Sequence, residues 1–199
     1  AHTMHFLASS SAEISAEIAA STGAIDSLVR LLYLGTDVTR ANAGAALGFI
    51  CRDVAVARET VAASHAIYKL VSMLDADDAQ ERKHAAHTLQ GLCINSAKAQ
   101  AKIVAAGGIT QLVSLLQKAL HDINDVNAVE AASAAAYTLA WLATENHDHQ
   151  TAIAAAGAIP ELVGMLGYGG TQAGAVNALS LLAYVHEGNA AAIAAAGAI

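Results

Sequence analysis

Apolar residues recur along the chain with the spacing of short amphipathic helices. In four stretches, leucine and valine stand three and four positions apart, which places them on one buried face of an α-helix. These stretches are Leu28, Leu31 and Leu32; Leu70, Val71 and Leu74; Leu112, Val113, Leu115 and Leu116; and Leu162, Val163 and Leu166. Polar turns, such as residues 35–37 and 75–78, come next. A longer helix is predicted after each turn, with a small residue and a leucine at matching positions: Ala46-Leu47, Thr88-Leu89, Thr138-Leu139 and Ala178-Leu179.

The whole pattern repeats. Five similar segments, each rich in alanine, end in the isoleucines Ile25, Ile67, Ile109, Ile159 and Ile199. The separations are 42, 42, 50 and 40 residues. A period near 42 residues is typical of stacked supersecondary units that cannot bury their apolar faces alone.

A glycine precedes four of these isoleucines. At Gly23, Gly107, Gly157 and Gly197 the chain is expected to leave one short helix at a sharp angle with a positive φ, which glycine adopts without strain. His65 occupies the same position in the second segment and is expected to take the same conformation. Pro160 stands where the next helix begins, a position that suits proline.

Two motifs carry a family resemblance. The run G-A-I-P-x-L-V-x-M-L at residues 157–166, followed by A-x-x-A-L at 175–179, resembles the armadillo repeat, and the resemblance extends from about residue 10 to the C-terminus. It implies an all-α fold, a right-handed α-α superhelix of three-helix units (an α-solenoid). The HEAT repeat is the competing interpretation, although it usually lacks the glycine turn.

One armadillo-repeat domain over residues 1–199 is predicted, with units at 11–52, 53–94, 95–144 and 145–186 and a partial unit at 187–199. The third spacing has eight extra residues, near 118–127, which are expected to loop out; contact with a partner and a tolerated surface insertion remain open. Because the last unit has no polar cap, we expect a fragment of a longer array or an end-to-end contact through that unit.

The resemblance also implies a function. Third helices of armadillo proteins line a concave groove that takes extended peptides, so a protein or peptide partner is expected. Importin-alpha adaptors and beta-catenin hold the peptide backbone with asparagine in A-L-x-N, but that position is filled here by Phe49, Gly91, Trp141 and Leu181. Importin-alpha-like tryptophans are replaced by Ala45, His87, Tyr137 and Asn177. Nuclear-signal recognition of the importin type is therefore not predicted.

The candidate binding residues are the remaining groove positions. Tyr137 and Trp141 lie four apart on one helical face, and aromatic residues are enriched at binding hot spots. The other predicted groove residues are Asn42, Phe49, His84, His87, Ser133 and Asn177. Packing of Trp141 and Phe49 against neighbouring units is the alternative interpretation.

Composition narrows the partners. The net charge is −7 and no Lys/Arg-rich run occurs, which disfavours nucleic acid. Hydrophobic residues make up 55%, largely alanine, yet no uncharged run is long enough for a membrane span. Cys51 and Cys93, 42 positions apart, are expected to be inert core thiols. These features favour an intracellular, cytoplasmic protein, with the nucleus as the open alternative.

Catalytic and metal chemistry is not predicted. No nucleophile elbow, phosphate loop, dinucleotide fingerprint or HExxH pair occurs, and no cofactor is implied. His84 with His87, and His147 with His149, lack a third assignable ligand for zinc. The leading hypothesis is a protein-binding scaffold. A structural subunit docked through flat surfaces and the substrate-binding arm of a ubiquitin ligase are the alternatives.

Overall fold

The computed structural model describes residues 11–198, and every regular element in that range is an α-helix. Residues 1–10 and the last predicted repeat isoleucine, Ile199, lie outside the described range. Within that range, no single helix is both long enough and apolar enough to cross a membrane; one adjacent pair reaches that length and composition only together, across the bend that follows Ala105.

The chain divides into two compact units, and the boundary lies between Gly107 and Gly108. Unit 1 contains α1 (Ala12–Ala20), α2 (Ala24–Leu34), α3 (Asp37–Asp53), α4 (Ala55–Ala63), α5 (Ala66–Met73), α6 (Ala79–Cys93) and α7 (Ala97–Ala105). Unit 2 contains α8 (Gly108–His121), α9 (Val126–Ala143), α10 (His147–Ala155), α11 (Ala158–Met165), α12 (Gln172–Ala183) and α13 (Glu187–Ala195). The prediction of one domain over the whole chain stays a prediction.

The order of elements is the predicted three-helix repeat. Each repeat has a nine-residue first helix, a second helix and a third helix, so that α3, α6, α9 and α12 are the third helices. Matching leucines of the second helices are fully buried: Leu28, Leu70, Leu112 and Leu162. Burial of one such side chain contributes about 1.5–3 kcal/mol, so these positions form the core of each unit.

The turn between first and second helices is the predicted glycine turn in four of five repeats. Gly23, Gly107, Gly157 and Gly197 have φ of 75°, 76°, 86° and 87°. The expectation for His65 is wrong, because its φ is −86°. Ser64 makes that turn instead: its backbone is extended, and its hydroxyl donates to Val61 O and accepts from Ala66 N.

A second turn, between a third helix and the next first helix, was not predicted and occurs after α6, α9 and α12, whereas Val54 after α3 has a φ of −119°. Asn95, Glu145 and Val185 stand at this turn with φ of 51°, 52° and 52°. Left-handed backbone is common for asparagine but strained for a β-branched residue such as valine. The sequence signal is therefore visible at Asn95 alone.

Polar side chains close the C-terminal ends of the third helices, whose last carbonyls lack helical partners. In every case the side chain comes seven residues after the carbonyl that it contacts. The pairs are Arg58 Nη1 with Cys51 O at 2.6 Å, Gln100 Nε2 with Cys93 O at 3.0 Å, His149 Nδ1 with Leu142 O at 2.9 Å, and Asn189 Nδ2 with Leu182 O at 3.0 Å. This repeated bond fixes the direction in which each first helix leaves.

The eight extra residues near 118–127 do not loop out as expected. They lengthen the helices: α8 has 14 residues where α5 has 8, and α9 has 18 where α6 has 15. Residues such as Lys118 and Asn127 therefore lie within helices, and four residues, 122–125, connect them. Ala119 and Ala128 are buried, so apolar side chains of the added turns are shielded from solvent.

Candidate functional site

The third helices of unit 1, α3 and α6, pack closely enough that small residues are required between them. A Cβ added at Gly91 would lie 2.9 Å from Gly48 O and 3.2 Å from the backbone nitrogen of Arg52. Thr88 Oγ1 lies 2.6 Å from both Gly44 O and His84 O, so its hydroxyl bonds the two helices together. Gly48 and Gly91 are the residues that this close approach requires, and neither was predicted to make it.

Four predicted groove residues belong to unit 1. Asn42 and Phe49 are half-buried on α3, and His87 is exposed on α6. His84 is only 9% exposed and lies beside the α3 backbone at Gly44. Each of these four residues already makes a polar, ring or electrostatic interaction within the protein.

The charged side chain of Arg52 lies over the ring of Phe49. The guanidinium carbon of Arg52 lies 5.1 Å from the centre of that ring, a cation–π distance. Arg52 also donates to both carboxylate oxygens of Asp53, at 2.8 and 3.2 Å, and Ser15 Oγ donates to the same carboxylate. The bond from Arg52 is the main reason why the pKa of Asp53 is lowered and that of Arg52 is raised. This end of α3 is therefore internally satisfied.

An open depression of about 340 Å³ lies where α3 and α6 begin. Its polar wall holds the Arg40–Glu81 ion pair: Arg40 Nε donates to Glu81 Oε1 at 3.0 Å, and the Glu81 side chain is 4% exposed. The hydrogen bond to Glu81 is the main cause that raises the pKa of Arg40. Asp37 also bonds Arg40 at 2.5 Å, so two carboxylates share one guanidinium. Over residues 11–198, histidine, cysteine and carboxylate side chains form no group of three that suits a metal ion.

The two cysteines are structural. Both Cys51 and Cys93 are fully buried and reduced. Burial raises the pKa of Cys51 to about 12 and raises that of Cys93 further. A thiol that stays protonated is a poor nucleophile, as expected for a core residue.

Unit 2 has its own pair of third helices, α9 and α12. A Cβ added at Gly174 on α12 would lie 2.9 Å from Ser133 O and 3.4 Å from Cδ2 of Tyr137. Cβ of Ala136 would lie 3.2 Å from the same added atom, and Ala132 and Ala140, one turn to either side of Ala136, are buried. The close approach holds the Tyr137 ring against the first turn of α12.

The other four predicted groove residues belong to unit 2. Ser133, Tyr137 and Trp141 follow one another at four-residue intervals on α9, and all are half-buried. Asn177, also half-buried, lies one turn beyond Gly174 on α12. Within the described range, no hydrogen bond engages the hydroxyls of Ser133 and Tyr137, the indole N–H of Trp141 or the amide of Asn177. These groups are available to a ligand.

Leu181 belongs with these residues. It is half-buried, one turn after Asn177 on α12, and adds an apolar side chain beside the amide. In the sequence Leu181 stands only as a departure from the asparagine ladder, so it was not predicted to be a binding residue. We call Ser133, Tyr137, Trp141, Asn177 and Leu181 the unit 2 surface.

Comparison with known proteins gives structural likeness only. No protein-family model matches the sequence, and no curated protein matches it significantly. A solved engineered protein is similar at 28% identity and TM-score 0.85, covering 98% of this chain and 76% of its own. A designed armadillo repeat protein gives 24% identity and TM-score 0.85, with 99% and 80% covered. Another, solved in complex with peptide (KR)4, gives 22% identity and TM-score 0.83, with 98% and 79% covered.

The fold that these proteins share is the one expected from the motifs at 157–166 and 175–179. It has three helices per repeat, glycine turns with positive φ and close-packed third helices, and the described range contains no strand. The chain therefore has an armadillo-like repeat fold, an all-α fold of the α-solenoid class.

Proposed function

We propose that the protein is an interaction module that holds an extended segment of a partner protein against the unit 2 surface. One observation carries this proposal: the polar groups of Ser133, Tyr137, Trp141 and Asn177 have no bonding partner within the described range, although all four residues are half-buried. None of these polar atoms is enclosed by the protein, so a ligand can bond them in place of water.

The structural neighbours support a peptide as that ligand. One designed armadillo repeat protein with this fold was solved in complex with peptide (KR)4. The present chain lacks the asparagine ladder, so a bound backbone would be held differently. We assign the indole N–H of Trp141 to a backbone carbonyl of the bound segment, and the amide of Asn177 to a backbone carbonyl and N–H of the same segment.

A structural subunit docked through a flat face is the second candidate. Val176 on α12 is 53% exposed and Tyr184, directly after that helix, is 63% exposed, which gives unit 2 apolar side chains at its surface outside the set just described. Such a partner would be folded and would bury a large area, whereas a peptide would bury a narrow strip.

Selection from a random dodecapeptide library displayed on phage tests the proposal. The expected result is enrichment on the full chain and loss of that enrichment on Trp141→Ala and Tyr137→Ala variants. Tyr168→Ala is the matched control, because Tyr168 is 41% exposed in the same unit but lies outside the surface. Circular dichroism verifies that each variant is folded. Equal enrichment on all variants, or no enrichment, would contradict the proposal.

A further inference from the structure

We infer that the unit 2 surface selects extended segments whose surface-facing, alternate side chains are uncharged and apolar; this rests on the proposed function and names its ligand class. The charge distribution is the first argument. Among the residues of α9, Glu130 is the only charged one, and α12 has none. Glu130 already interacts within the protein.

The cost of burying charge is the second argument. A lysine or arginine that docks against half-buried Tyr137 and Trp141 loses water, and a cation–π contact with these rings offsets less of that desolvation than an opposite charge would. The unit 2 surface supplies no opposite charge. A leucine, proline or aromatic side chain has no such desolvation cost and is stabilised in proportion to the apolar area that it buries.

The polar atoms of Trp141 and Asn177 suit the backbone of an extended segment. The indole N–H donates only, while the Asn177 amide both donates and accepts, so together they match the carbonyl and N–H of an extended backbone. Side chains of an extended segment alternate between its two faces. Residues that face the surface should therefore be apolar, and those that face solvent can be of any type.

The unit 2 surface differs in this respect from the third helices of unit 1. There Arg52 covers Phe49, and Lys83 and His87 stand on α6, so basic groups flank the equivalent positions. All three already interact within the protein. The uncharged character is thus particular to unit 2.

The test uses the composition of the library clones that bind the full chain and fail to bind Trp141→Ala. Apolar residues are expected at alternate positions, with lysine, arginine, aspartate and glutamate depleted there relative to the unselected library. The best clone is then synthesised and titrated against the full chain. Emission of Trp141, the only tryptophan, reports binding at the site itself.

Substitution within that synthetic peptide sharpens the result. Lysine at a surface-facing position should weaken binding about tenfold or more, whereas lysine at the neighbouring solvent-facing position should leave it unchanged. In the protein, Trp141→Phe keeps most of the apolar area and removes the N–H. It should weaken every selected peptide to a similar extent, since the bond is made to the backbone.

The outcomes separate this inference from the proposed function. Clones rich in charged residues at the alternate positions, and still dependent on Trp141, would overturn the inference and leave peptide binding intact. Clones that bind Trp141→Ala as well as the parent chain, or the absence of any binding clone, would overturn both.

Discussion

The two units place different residues at equivalent positions of their third helices. In unit 1, Thr88 and two glycines join α3 to α6, and Arg52 covers Phe49. In unit 2, alanines and Gly174 join α9 to α12, and Tyr137 and Trp141 stand beside polar groups that have no partner within the described range. The polar groups at these positions of unit 1 are thus already bonded within the protein.

That difference shows how one repeat fold separates stability from binding. A buried bond such as Thr88 to Gly44 is unavailable to a ligand but contributes to packing, whereas an unpaired indole N–H contributes little to stability. Five measurements test this comparison, from the largest expected effect to the smallest.

The largest expected effect is on the rate at which the two cysteine thiols react. In native buffer Cys51 and Cys93 should react with an aromatic disulfide reagent at least about a thousandfold more slowly than in denaturant, because a buried, protonated thiol must first be exposed by opening. The release of the aromatic thiolate measures the rate by absorbance. Rapid native labelling of either thiol would show that unit 1 is not closed around it.

Gly91→Ala should destabilise unit 1 by about 2–3 kcal/mol, because the new Cβ meets backbone atoms that cannot yield. Gly44→Ala is the matched control on the opposite helix, where the nearest atoms would lie 3.8 Å away. It should be neutral or stabilising, since alanine favours helix. Urea unfolding followed by thiol labelling for unit 1 and by Trp141 emission for unit 2 separates the two responses. Equal effects of both substitutions would contradict the close-approach argument.

Thr88→Val should cost about 1 kcal/mol, because it removes the hydroxyl that bonds Gly44 O across the helix pair. Thr138 occupies the matching position in unit 2 but donates only to Ala134 O of its own helix. Thr138→Val should therefore change the free energy of unfolding much less. If thermal melting shows the same loss for both variants, the inter-helix bond in unit 1 has no special weight.

Val185→Asn should stabilise unit 2 by about 0.5–1 kcal/mol, because valine is strained at a φ of 52°. Little packing is lost, since Val185 is 70% exposed. The reciprocal change Asn95→Val in unit 1 should destabilise by a similar amount. Melting temperatures of the two variants measure both effects, and a lower melting temperature for Val185→Asn would exclude the strain.

The smallest expected effect is on how the free energy of unfolding depends on pH. The folded-state pKa of Asp53 lies below its ordinary value of 3.8, mainly because Arg52 donates to it. Such a carboxylate contributes stability that is present above its unfolded pKa and is lost as pH falls through the lower, folded pKa. Asp53→Asn should therefore flatten the fall in unfolding free energy below about pH 4, by less than about 1 kcal/mol. An unchanged acid limb in the variant would show that the ion pair contributes nothing.

The sequence predicted the helices, their order and the glycine turns because these depend on local periodicity and on φ. It failed at His65, where Ser64 took over the turn, and at residues 118–127, where added residues continued the helices. The first failure concerns hydroxyl bonds of Ser64 that the repeat pattern does not show, and the second concerns burial of the added helical turns. The seven-residue closure of the third helices was also missed, since arginine, glutamine, histidine and asparagine serve equally.

The candidate surface was only partly visible in the sequence. The spacing of Tyr137 and Trp141 was enough to place both on one helical face. Spacing also predicted His84 to be a binding residue, but His84 is buried beside α3. The repeat period and the helical faces follow from the sequence itself, because they depend on neighbouring residues. Which polar groups remain without a partner was decided by the tertiary structure, because that depends on how closely the third helices approach and on which side chains reach across.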